Sequence, residues 1–168
     1  QQAWNQAFGV VTDLPTSVVI WTTTPWTLPS SQAVSMHGEF DYVLVQVNDE
    51  CQVFAKDLVE SAMERYGIDD FKILGEAKGQ VLENLSLQHP FYDERQVPVI
   101  LGDHVTTEAG TGSVHTSPDH GVDDFNVGRA YGIGTLNLVD DNGVFVDAAG
   151  EFSGAHVYKV DDQVVAAL

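Results

Sequence analysis

The sequence predicts a mainly β fold, arranged as a barrel or a sandwich. Short runs rich in β-branched and aromatic residues recur along the chain, and several alternate apolar and polar residues at period two. The dipeptide Asn142-Gly143, which favours a two-residue hairpin turn, separates two of these runs. The predicted strands are residues 17–24, 41–47, 52–55, 71–77, 81–88, 97–101, 112–116 and 135–139, the last paired with 144–146.

One helix is predicted from residue 58 to residue 66. Its apolar residues recur on one face, as expected of a helix lying on a core. Asp57 can cap the first turn with Glu60 three residues later, and Gly67 is the residue type that most often ends a helix.

A second helix is predicted over residues 122–131. Asp123 and Asp124 stand in its first turn, where the helix dipole favours negative charge. Gly128 weakens the helical pattern, because glycine loses more backbone freedom than other residues when it becomes helical.

The composition is strongly acidic. The 168 residues include 25 Asp and Glu against 7 Lys and Arg, for a net charge of -18, and 43% of the residues are apolar. This apolar content can fill a core, so the chain is predicted to fold as one domain rather than to be disordered. The few cations are scattered and form no basic stripe, which disfavours tight autonomous binding to RNA or DNA.

Several single residues carry little functional signal. The only cysteine, Cys51, forbids an internal disulfide, fits a reducing compartment such as the cytoplasm, and is predicted to pack in a strand. No apolar run is long enough for a transmembrane helix. Four histidines are predicted to lie at the surface or in turns: His37, His89, His104 and His156.

The first motif, WTTTPWTLP, runs from Trp21 to Pro29. Three successive threonines in a strand put hydroxyls on both faces, and Pro25 ends regular pairing, so the last hydroxyls lie at a sheet edge or barrel mouth. Such a rim beside Trp26 can hold a polar ligand. The alternative is structural: threonine favours strands, and Trp26 plugs the end of a barrel.

The second motif, GTGSVHTSPDHGVDDF, runs from Gly110 to Phe125. It brings two imidazoles and three carboxylates close together in the chain, beside glycines that let a ligand approach the backbone. Its first residues lack the third glycine of a dinucleotide-binding loop. Ser113 is followed by no glycine two residues later, so the motif contains no nucleophile elbow.

A metal site is one alternative for the second motif. His115, His120, Asp123 and Asp124 are all competent zinc ligands, but their spacing matches no standard zinc signature. A role in turns and caps is the other alternative, because aspartates such as Asp119 and Asp123 commonly close turns and begin helices.

The two motifs together resemble the editing domain inserted in bacterial-type isoleucyl-tRNA synthetases. They stand in the same order in the chain, and the likeness extends over 41–45 and 55–60. The valyl and leucyl editing domains typically carry arginine where this chain has Thr24 and no histidine in place of His115. Three positions depart from the usual family residues: Ser31, Ser117 and Asp119 stand where Asn, Ala and Gly are common.

The resemblance implies a proofreading hydrolase that removes valine wrongly attached to the tRNA for isoleucine. Valyl-adenylate is a further candidate substrate. One methylene in an apolar pocket is worth only about 1–3 kcal/mol, and isoleucyl-tRNA synthetase is the standard example of this limit. A second, smaller sieve that admits valine and excludes isoleucine supplies the missing discrimination.

The resemblance also implies roles for side chains. Asp124 corresponds to the acid that binds the α-ammonium of the substrate through a charge-assisted bond. Thr23 and Thr24 correspond to residues that place the attacking water, and Thr22 to a substrate contact. His115 corresponds to a gate that bars isoleucine, while its use as the general base is the weaker alternative.

Trp26 is expected to line the pocket for the terminal adenosine or the amino acid. Backbone groups of Gly112, Ser113 and Val114 are expected to hold the carbonyl or the ribose. The implied mechanism uses water and no covalent nucleophile, because an aminoacyl ester is already activated. The domain itself is expected to need no metal or other cofactor, while the parent enzyme uses ATP and magnesium.

From this resemblance the fold is expected to be a closed or nearly closed β-barrel with short peripheral helices and both motifs at one mouth. Residues 1–14 are expected to form a tether, 15–160 the editing domain, and 161–168 the start of a helix returning to a parent enzyme. The expected partners are the parent in cis and the aminoacylated end of the tRNA, in a cytoplasmic monomer. A metal-dependent hydrolase using His115, His120 and Asp124, or a non-catalytic amino-acid-binding module, remain the alternatives.

Overall fold

The computed structural model describes all 168 residues. The strands are β1 Thr16–Val18, β2 Ala33–Met36, β3 Asp41–Val47, β4 Glu50–Ala55, β5 Lys72–Lys78, β6 Ser86–Gln88, β7 Gln96–Leu101 and β8 Ser113–Thr116. The α-helices are α1 Gln2–Phe8, α2 Val59–Tyr66, α3 Gly79–Leu82, α4 Val122–Ala130 and α5 Asp161–Ala167. Short 3-10 helices cover Pro25–Ser30, Lys56–Leu58, Asp147–Phe152 and Val157–Lys159.

The strands form two four-stranded sheets, so the prediction of a closed or nearly closed barrel is wrong. The first sheet has the order β1-β4-β3-β5 and the second the order β6-β7-β2-β8. Both contain a parallel pair, β1 with β4 and β2 with β7. A barrel needs every strand paired on both sides with a consistent stagger, whereas β1 and β6 are three residues long and stand at sheet edges.

Most strands follow the sequence pattern. The prediction of 41–47 is confirmed by β3, and β4, β5, β7 and β8 each differ from their predicted ranges by no more than two residues. The strand predicted over 17–24 is wrong beyond Val18, where β1 ends. The strand predicted over 81–88 is wrong in its first part, which contains the end of helix α3. The predicted hairpin is reduced to an isolated antiparallel bridge between Val139 and Phe145.

The turn of that hairpin nevertheless forms as its residues predict. Gly143 has a φ of 75°, a conformation that glycine adopts without strain. The side chain of Asp140 accepts hydrogen bonds from the amides of Asn142 and Val144, at 2.8 and 3.0 Å. These two bonds hold the pKa of Asp140 below its ordinary value, together with the side chain of Asn142. Local polar contacts therefore stabilise the turn without a regular strand pair.

Helices α2 and α4 confirm the two helix predictions, apart from the cap. Asp57 lies in the 3-10 helix before α2 and gives no side-chain cap, because the residue at the cap position is Leu58. Gly67 ends α2 with a φ of 67°. The apolar face of α2 belongs to one buried core cluster, whose members are Val43, Val45, Val47, Phe54, Val59, Ala62 and Met63.

Both chain ends contain a helix. Residues 1–14 include α1, which the sequence does not predict and which buries Trp4 and Phe8 to 5% and 4% exposure. Helix α5 begins at Asp161, as predicted, and buries Val164. None of the helices has both the length and the apolar character needed to cross a membrane.

The chain divides into two compact units. The first comprises Gln1–Trp21, Val34–Leu85 and Pro98–Val114, and it contains the first sheet and the core cluster around α2. The second comprises Thr22–Ala33, Ser86–Val97 and His115–Leu168. The second unit therefore holds the threonines of the first motif together with the histidines and aspartates of the second motif.

Candidate functional site

The threonines of the first motif form a turn that enters a 3-10 helix. Thr22 Oγ1 accepts a hydrogen bond from the Thr24 amide at 3.0 Å, and Thr24 Oγ1 lies 3.5 Å from Thr22 Oγ1 and 3.4 Å from Thr27 Oγ1. Thr23 and Thr24 are exposed and Thr22 is half-buried. The hydroxyls of Thr22, Thr24 and Thr27 thus form one hydrogen-bonding row, which runs from the exposed Thr24 to the buried Thr27 within the second unit. The prediction that the threonine hydroxyls point to alternate faces of a strand is therefore wrong.

Thr27 joins this row to the second motif. Its Oγ1 donates to the Thr24 carbonyl at 2.9 Å and lies 2.9 Å from Nε2 of His115. A hydroxyl has a single proton to donate, and Thr27 donates it to the Thr24 carbonyl. Thr27 must therefore act as the acceptor towards His115, whose Nε2 carries a proton. The imidazole of His115 then keeps its free lone pair on Nδ1, which makes no hydrogen bond.

His115 is a neutral side chain at physiological pH. It is 7% exposed, and this burial lowers the pKa of the imidazole, with Asp124 opposing the shift and His120 adding to it. The same three side chains therefore influence one another electrostatically. A neutral imidazole with a bare nitrogen is suited to shape a pocket and to accept a hydrogen bond.

Asp124 lies in the first turn of α4, after the N-cap Gly121. Its Oδ2 accepts a hydrogen bond from the backbone amide of Ser117 at 2.9 Å, and the side chain is half-buried. A Cβ on Gly121 would lie 3.1 Å from Cγ and Oδ2 of Asp124, so glycine leaves room for the carboxylate at this place. The helix start and Ser117 together fix one carboxylate beside the neutral His115.

Ser117 connects Asp124 to the 3-10 helix. While its amide holds Asp124, its Oγ donates to the Ser30 carbonyl at 3.1 Å, and both bonds lie within the second unit. Alanine, the residue that the resemblance led us to expect here, makes no such second bond. No sequence pattern selects Ser117 or Thr27 as a site residue. Thr27 nevertheless stands three residues after Thr24, the spacing that brings side chains together in a 3-10 helix.

Trp26 and His120 form the aromatic part of the site. Their ring centroids are 5.0 Å apart and the planes are inclined by 73°, an edge-on contact. Burial lowers the pKa of His120, against the opposing effect of Asp119 and Asp124. No three side chains among His, Cys, Asp and Glu are grouped so that they could hold a metal ion, so the metal-dependent alternative has no ligand set to support it.

Gly112, Ser113 and Val114 lie in the first unit, where structural contacts occupy two of their carbonyls. The Gly112 carbonyl accepts from the hydroxyl of Tyr42 at 2.6 Å, and that of Ser113 accepts from Thr111 Oγ1 at 3.2 Å. Burial raises the pKa of Tyr42 to about 12, so its hydroxyl stays a donor. Gly112 has a φ of 79°, and a Cβ there would lie 2.3 Å from Cβ of Ala55. Glycine at this position is thus explained by approach of the protein's own chain.

Comparison with a family model supports one interpretation of these residues. The model described as leucyl-tRNA synthetase, editing domain, matches residues 4–164. The chain is 65% identical over 156 residues to an isoleucine–tRNA ligase of a Marinomonas species, and 60% identical over 154 residues to that of Teredinibacter turnerae. These matches cover 90% and 92% of this chain, which spans only 16% of either relative.

Solved structures with low sequence identity share the fold. The domain described as GlLeuRS-CP1 superposes with a TM-score of 0.75 at 16% identity, covering 98% of this chain and 84% of that one. The editing domain of Plasmodium falciparum cytosolic leucyl-tRNA synthetase gives a TM-score of 0.65 at 11% identity, covering 99% and 71%. The two-sheet architecture is therefore the architecture of these domains.

Proposed function

The chain belongs to the leucyl-tRNA synthetase editing-domain family, and from this premise we propose that it deacylates valine attached to the tRNA for isoleucine. The resemblance drawn from the two motifs is confirmed, since relatives 65% and 60% identical to the chain are isoleucine–tRNA ligases. The family is one of hydrolytic proofreading modules. The choice of valine as substrate, and of the side chains that act on it, is the part that we propose.

The need for such a domain follows from the chemistry of valine and isoleucine. The two side chains differ by one methylene, so an apolar synthetic site separates them by only about 1–3 kcal/mol. A hydrolytic site too small for isoleucine acts on valine alone. Discrimination by the synthetic site is multiplied by discrimination at the hydrolytic site, so the overall selectivity exceeds that of either pocket alone. Valyl-adenylate carries the same acyl group and is a second substrate of the same chemical class.

The observation that carries the proposal is the fixed carboxylate of Asp124 beside a neutral imidazole. An aminoacyl ester bears an α-ammonium, which forms a charge-assisted hydrogen bond with a carboxylate. The backbone amide of Ser117 donates a hydrogen bond of 2.9 Å to Oδ2 of Asp124 and so holds the carboxylate in place. Because burial lowers the pKa of His115, no second positive charge competes with the ammonium for that carboxylate.

Water attacks the ester next to the row of threonine hydroxyls. Hydroxyl groups donate and accept, so Thr22, Thr23 and Thr24 can orient a water without changing their own protonation. The ester is already activated, and holding it beside an oriented water supplies much of the rate enhancement. His115, fixed through Thr27 at 2.9 Å, is the wall that excludes the extra methyl group of isoleucine. Trp26 with His120 offers ring surfaces for the terminal adenosine.

The domain as proposed uses no metal or organic cofactor of its own, and ATP with magnesium serves the synthetic reaction elsewhere in the parent enzyme. Its partners are the rest of that enzyme in cis and the aminoacylated 3′ end of the tRNA. We place it in the cytoplasm with the parent. Gly112, Ser113 and Val114 remain proposed substrate contacts through backbone groups other than the two occupied carbonyls.

Replacement of Asp124 tests the proposal. In the full-length synthetase, Asp124→Ala removes the partner of the ammonium, and valyl-tRNA deacylation is expected to fall by at least about tenfold, the value of a hydrogen bond to a charged group. Asp123→Ala, in the same helical turn but exposed, is the matched control and should deacylate at the wild-type rate. Wild-type deacylation by Asp124→Ala would overturn the anchor role. Binding of valyl-adenosine without any ester turnover by the wild type would favour an amino-acid-binding module instead.

A further inference from the structure

The 3-10 helix from Pro25 to Ser30 contains two residues that cannot donate a backbone hydrogen bond, since Pro25 and Pro29 lack an amide proton. At its two ends the Thr27 amide donates to the Thr24 carbonyl and the Ser31 amide to the Leu28 carbonyl, both at 3.0 Å. At six residues it also exceeds the length at which such helices are common. Contacts outside the helix are therefore expected to contribute to its position.

Three consecutive carbonyls at the end of this helix each accept a hydrogen bond from a different side chain. Nε2 of His89 lies 3.1 Å from the Leu28 carbonyl, Nη1 of Arg95 lies 2.6 Å from that of Pro29, and Oγ of Ser117 lies 3.1 Å from that of Ser30. All of these groups belong to the second unit. Ser117 also holds Asp124, whereas the side chains of His89 and Arg95 hydrogen-bond to the backbone of the helix.

His89 can donate to Leu28 in only one tautomer. Nδ1 accepts a hydrogen bond from the amide of Phe91 at 3.1 Å, so the proton must be on Nε2, which faces the Leu28 carbonyl. The side chain is 2% exposed, and burial and then Arg95 lower its pKa to about 4. The prediction that His89 lies at the surface or in a turn is therefore wrong as to the surface.

Arg95 is held by aromatic and backbone contacts of the same loop. Its guanidinium lies 4.4 Å from the ring centre of Tyr92, whose hydroxyl donates to the Ala149 carbonyl at 2.9 Å. The Arg95 amide donates to the Tyr92 carbonyl, and the His89 amide to the Arg95 carbonyl, both at 3.0 Å. These contacts stabilise the loop from His89 to Arg95, which therefore presents its two side-chain donors to the 3-10 helix in a fixed position.

From this arrangement we infer that His89 and Arg95 are positioning residues of the editing reaction, which hold the 3-10 helix so that its Thr27 meets His115. The inference rests on the proposed function. The helix carries Thr27, which is bonded to His115 at 2.9 Å and to the Thr24 carbonyl at 2.9 Å. A shift of the helix therefore moves the threonine row and the wall together.

Paired variants of the full-length synthetase test this role. His89→Leu and Arg95→Met remove the donors, whereas His89→Gln and Arg95→Lys retain one. We expect the removing variants to lower kcat for valyl-tRNA deacylation by about ten- to a hundredfold with little change in KM, because small misplacement of reacting groups is costly. The retaining variants should recover most of kcat. The amides of Thr27 and Ser31 should exchange hydrogen faster in the removing variants.

Leu138→Ala is the matched control. Leu138 is 2% exposed in the same unit and forms none of the contacts described for the 3-10 helix, so its variant should lower thermal stability without changing kcat or the exchange of Thr27 and Ser31. The inference would be overturned if His89→Leu and Arg95→Met both kept the wild-type kcat and the wild-type hydrogen exchange of the two amides. So would a loss of kcat no larger than that of Leu138→Ala. A wild-type enzyme that does not deacylate valyl-tRNA would refute the proposed function instead, while the exchange of the two amides would still test the contacts.

Discussion

At His115, burial and one hydrogen bond decide what the side chain can do. The imidazole is neutral, is fixed by Thr27 through Nε2, and has a bare Nδ1. In the proposed site it therefore offers its shape and a hydrogen-bond acceptor. A protonated imidazole would repel the ammonium that Asp124 is proposed to bind.

Removing this imidazole should relax the choice between the two amino acids. For His115→Ala we expect deacylation of correctly charged isoleucyl-tRNA, with discrimination reduced by at least about tenfold, because the wall against one extra methyl group is gone. Rates on valyl- and isoleucyl-tRNA with the full-length synthetase give the ratio. His37→Ala, in the other unit, is the control. An unchanged ratio in His115→Ala would remove the gate assignment.

The buried His89 makes stability depend on pH. Its pKa is about 4 in the folded protein and about 6.5 when unfolded, so between these values the unfolded chain binds more protons. The free energy of unfolding loses nothing from this histidine above pH 6.5, and it loses at most about 3 kcal/mol as the pH falls to about 4. Urea unfolding across this range should show a smaller acid loss for His89→Gln than for the wild type. Equal losses would contradict the assigned neutral state.

Helix α4 shows how a glycine in an element can serve a contact. A Cβ on Gly128 would lie 2.9 Å from Cγ of Pro118, whose ring cannot turn away, so the helix approaches the second motif more closely than alanine permits. Glycine at position 128, which lowers the helix propensity of this segment, is thus required by packing.

Gly128→Ala should accordingly destabilise the protein. Helix propensity alone favours alanine over glycine by about 1 kcal/mol, but the clash with Pro118 moves α4, which carries Asp124. We expect a lower free energy of unfolding in urea and slower valyl-tRNA deacylation. Asn126→Ala, at an exposed position of the same helix, should keep both unchanged or gain stability. A stabilised and fully active Gly128→Ala would show that the contact is not tight.

Elements whose structure depends on local pattern could be predicted, and those that depend on distant partners could not. Strand β3 lies where alternation and β-branched residues place it. The threonine segment was misassigned because the β propensity of threonine is overridden by two prolines and by side chains from distant loops. Whether sheets close into a barrel is set by pairings such as β1 with β4, which no local pattern encodes.

The same limit applies to the site. Asp124, His115 and the threonines could be selected because their motifs are long and chemically unusual. His89 and Arg95 could not, because each stands alone in the sequence, and only folding brings their donors to the carbonyls of Leu28 and Pro29. Residues that position others carry no chemical pattern of their own.

On the scale of the whole molecule, the charge of -18 is largely uncompensated. Lys56 with Glu76, at 2.7 Å, and Lys78 with Asp41, at 2.8 Å, are half-exposed pairs of the kind that adds little stability. Repulsion among the remaining carboxylates is stronger in the compact state than in the unfolded chain. The acidity therefore opposes folding at low salt.

Screening should relieve that repulsion. We expect the melting temperature to rise between about 0.02 M and about 0.5 M sodium chloride, as the Debye length falls below the spacing of surface charges. Calorimetry at constant pH measures the trend, and sodium chloride avoids the stronger exclusion effects of sulfate. A melting temperature that falls with salt would mean that attractive ion pairs outweigh the net charge.

The same charge bears on how the domain meets its substrate. Only 7 cations are present, so the chain has little with which to displace counterions from a phosphate backbone. We expect the 168-residue chain alone to bind tRNA more weakly than about 0.1 mM at physiological salt, the weak end of nonspecific binding, whereas the full-length synthetase binds it firmly. Fluorescence anisotropy of labelled tRNA over a salt series measures both. Micromolar binding by the chain alone, with a steep loss at higher salt, would contradict this and indicate that its few cations converge on RNA. Weak binding would mean that basic surface elsewhere in the synthetase holds the tRNA body, so that this domain has only the terminal nucleotide and its amino acid to recognise.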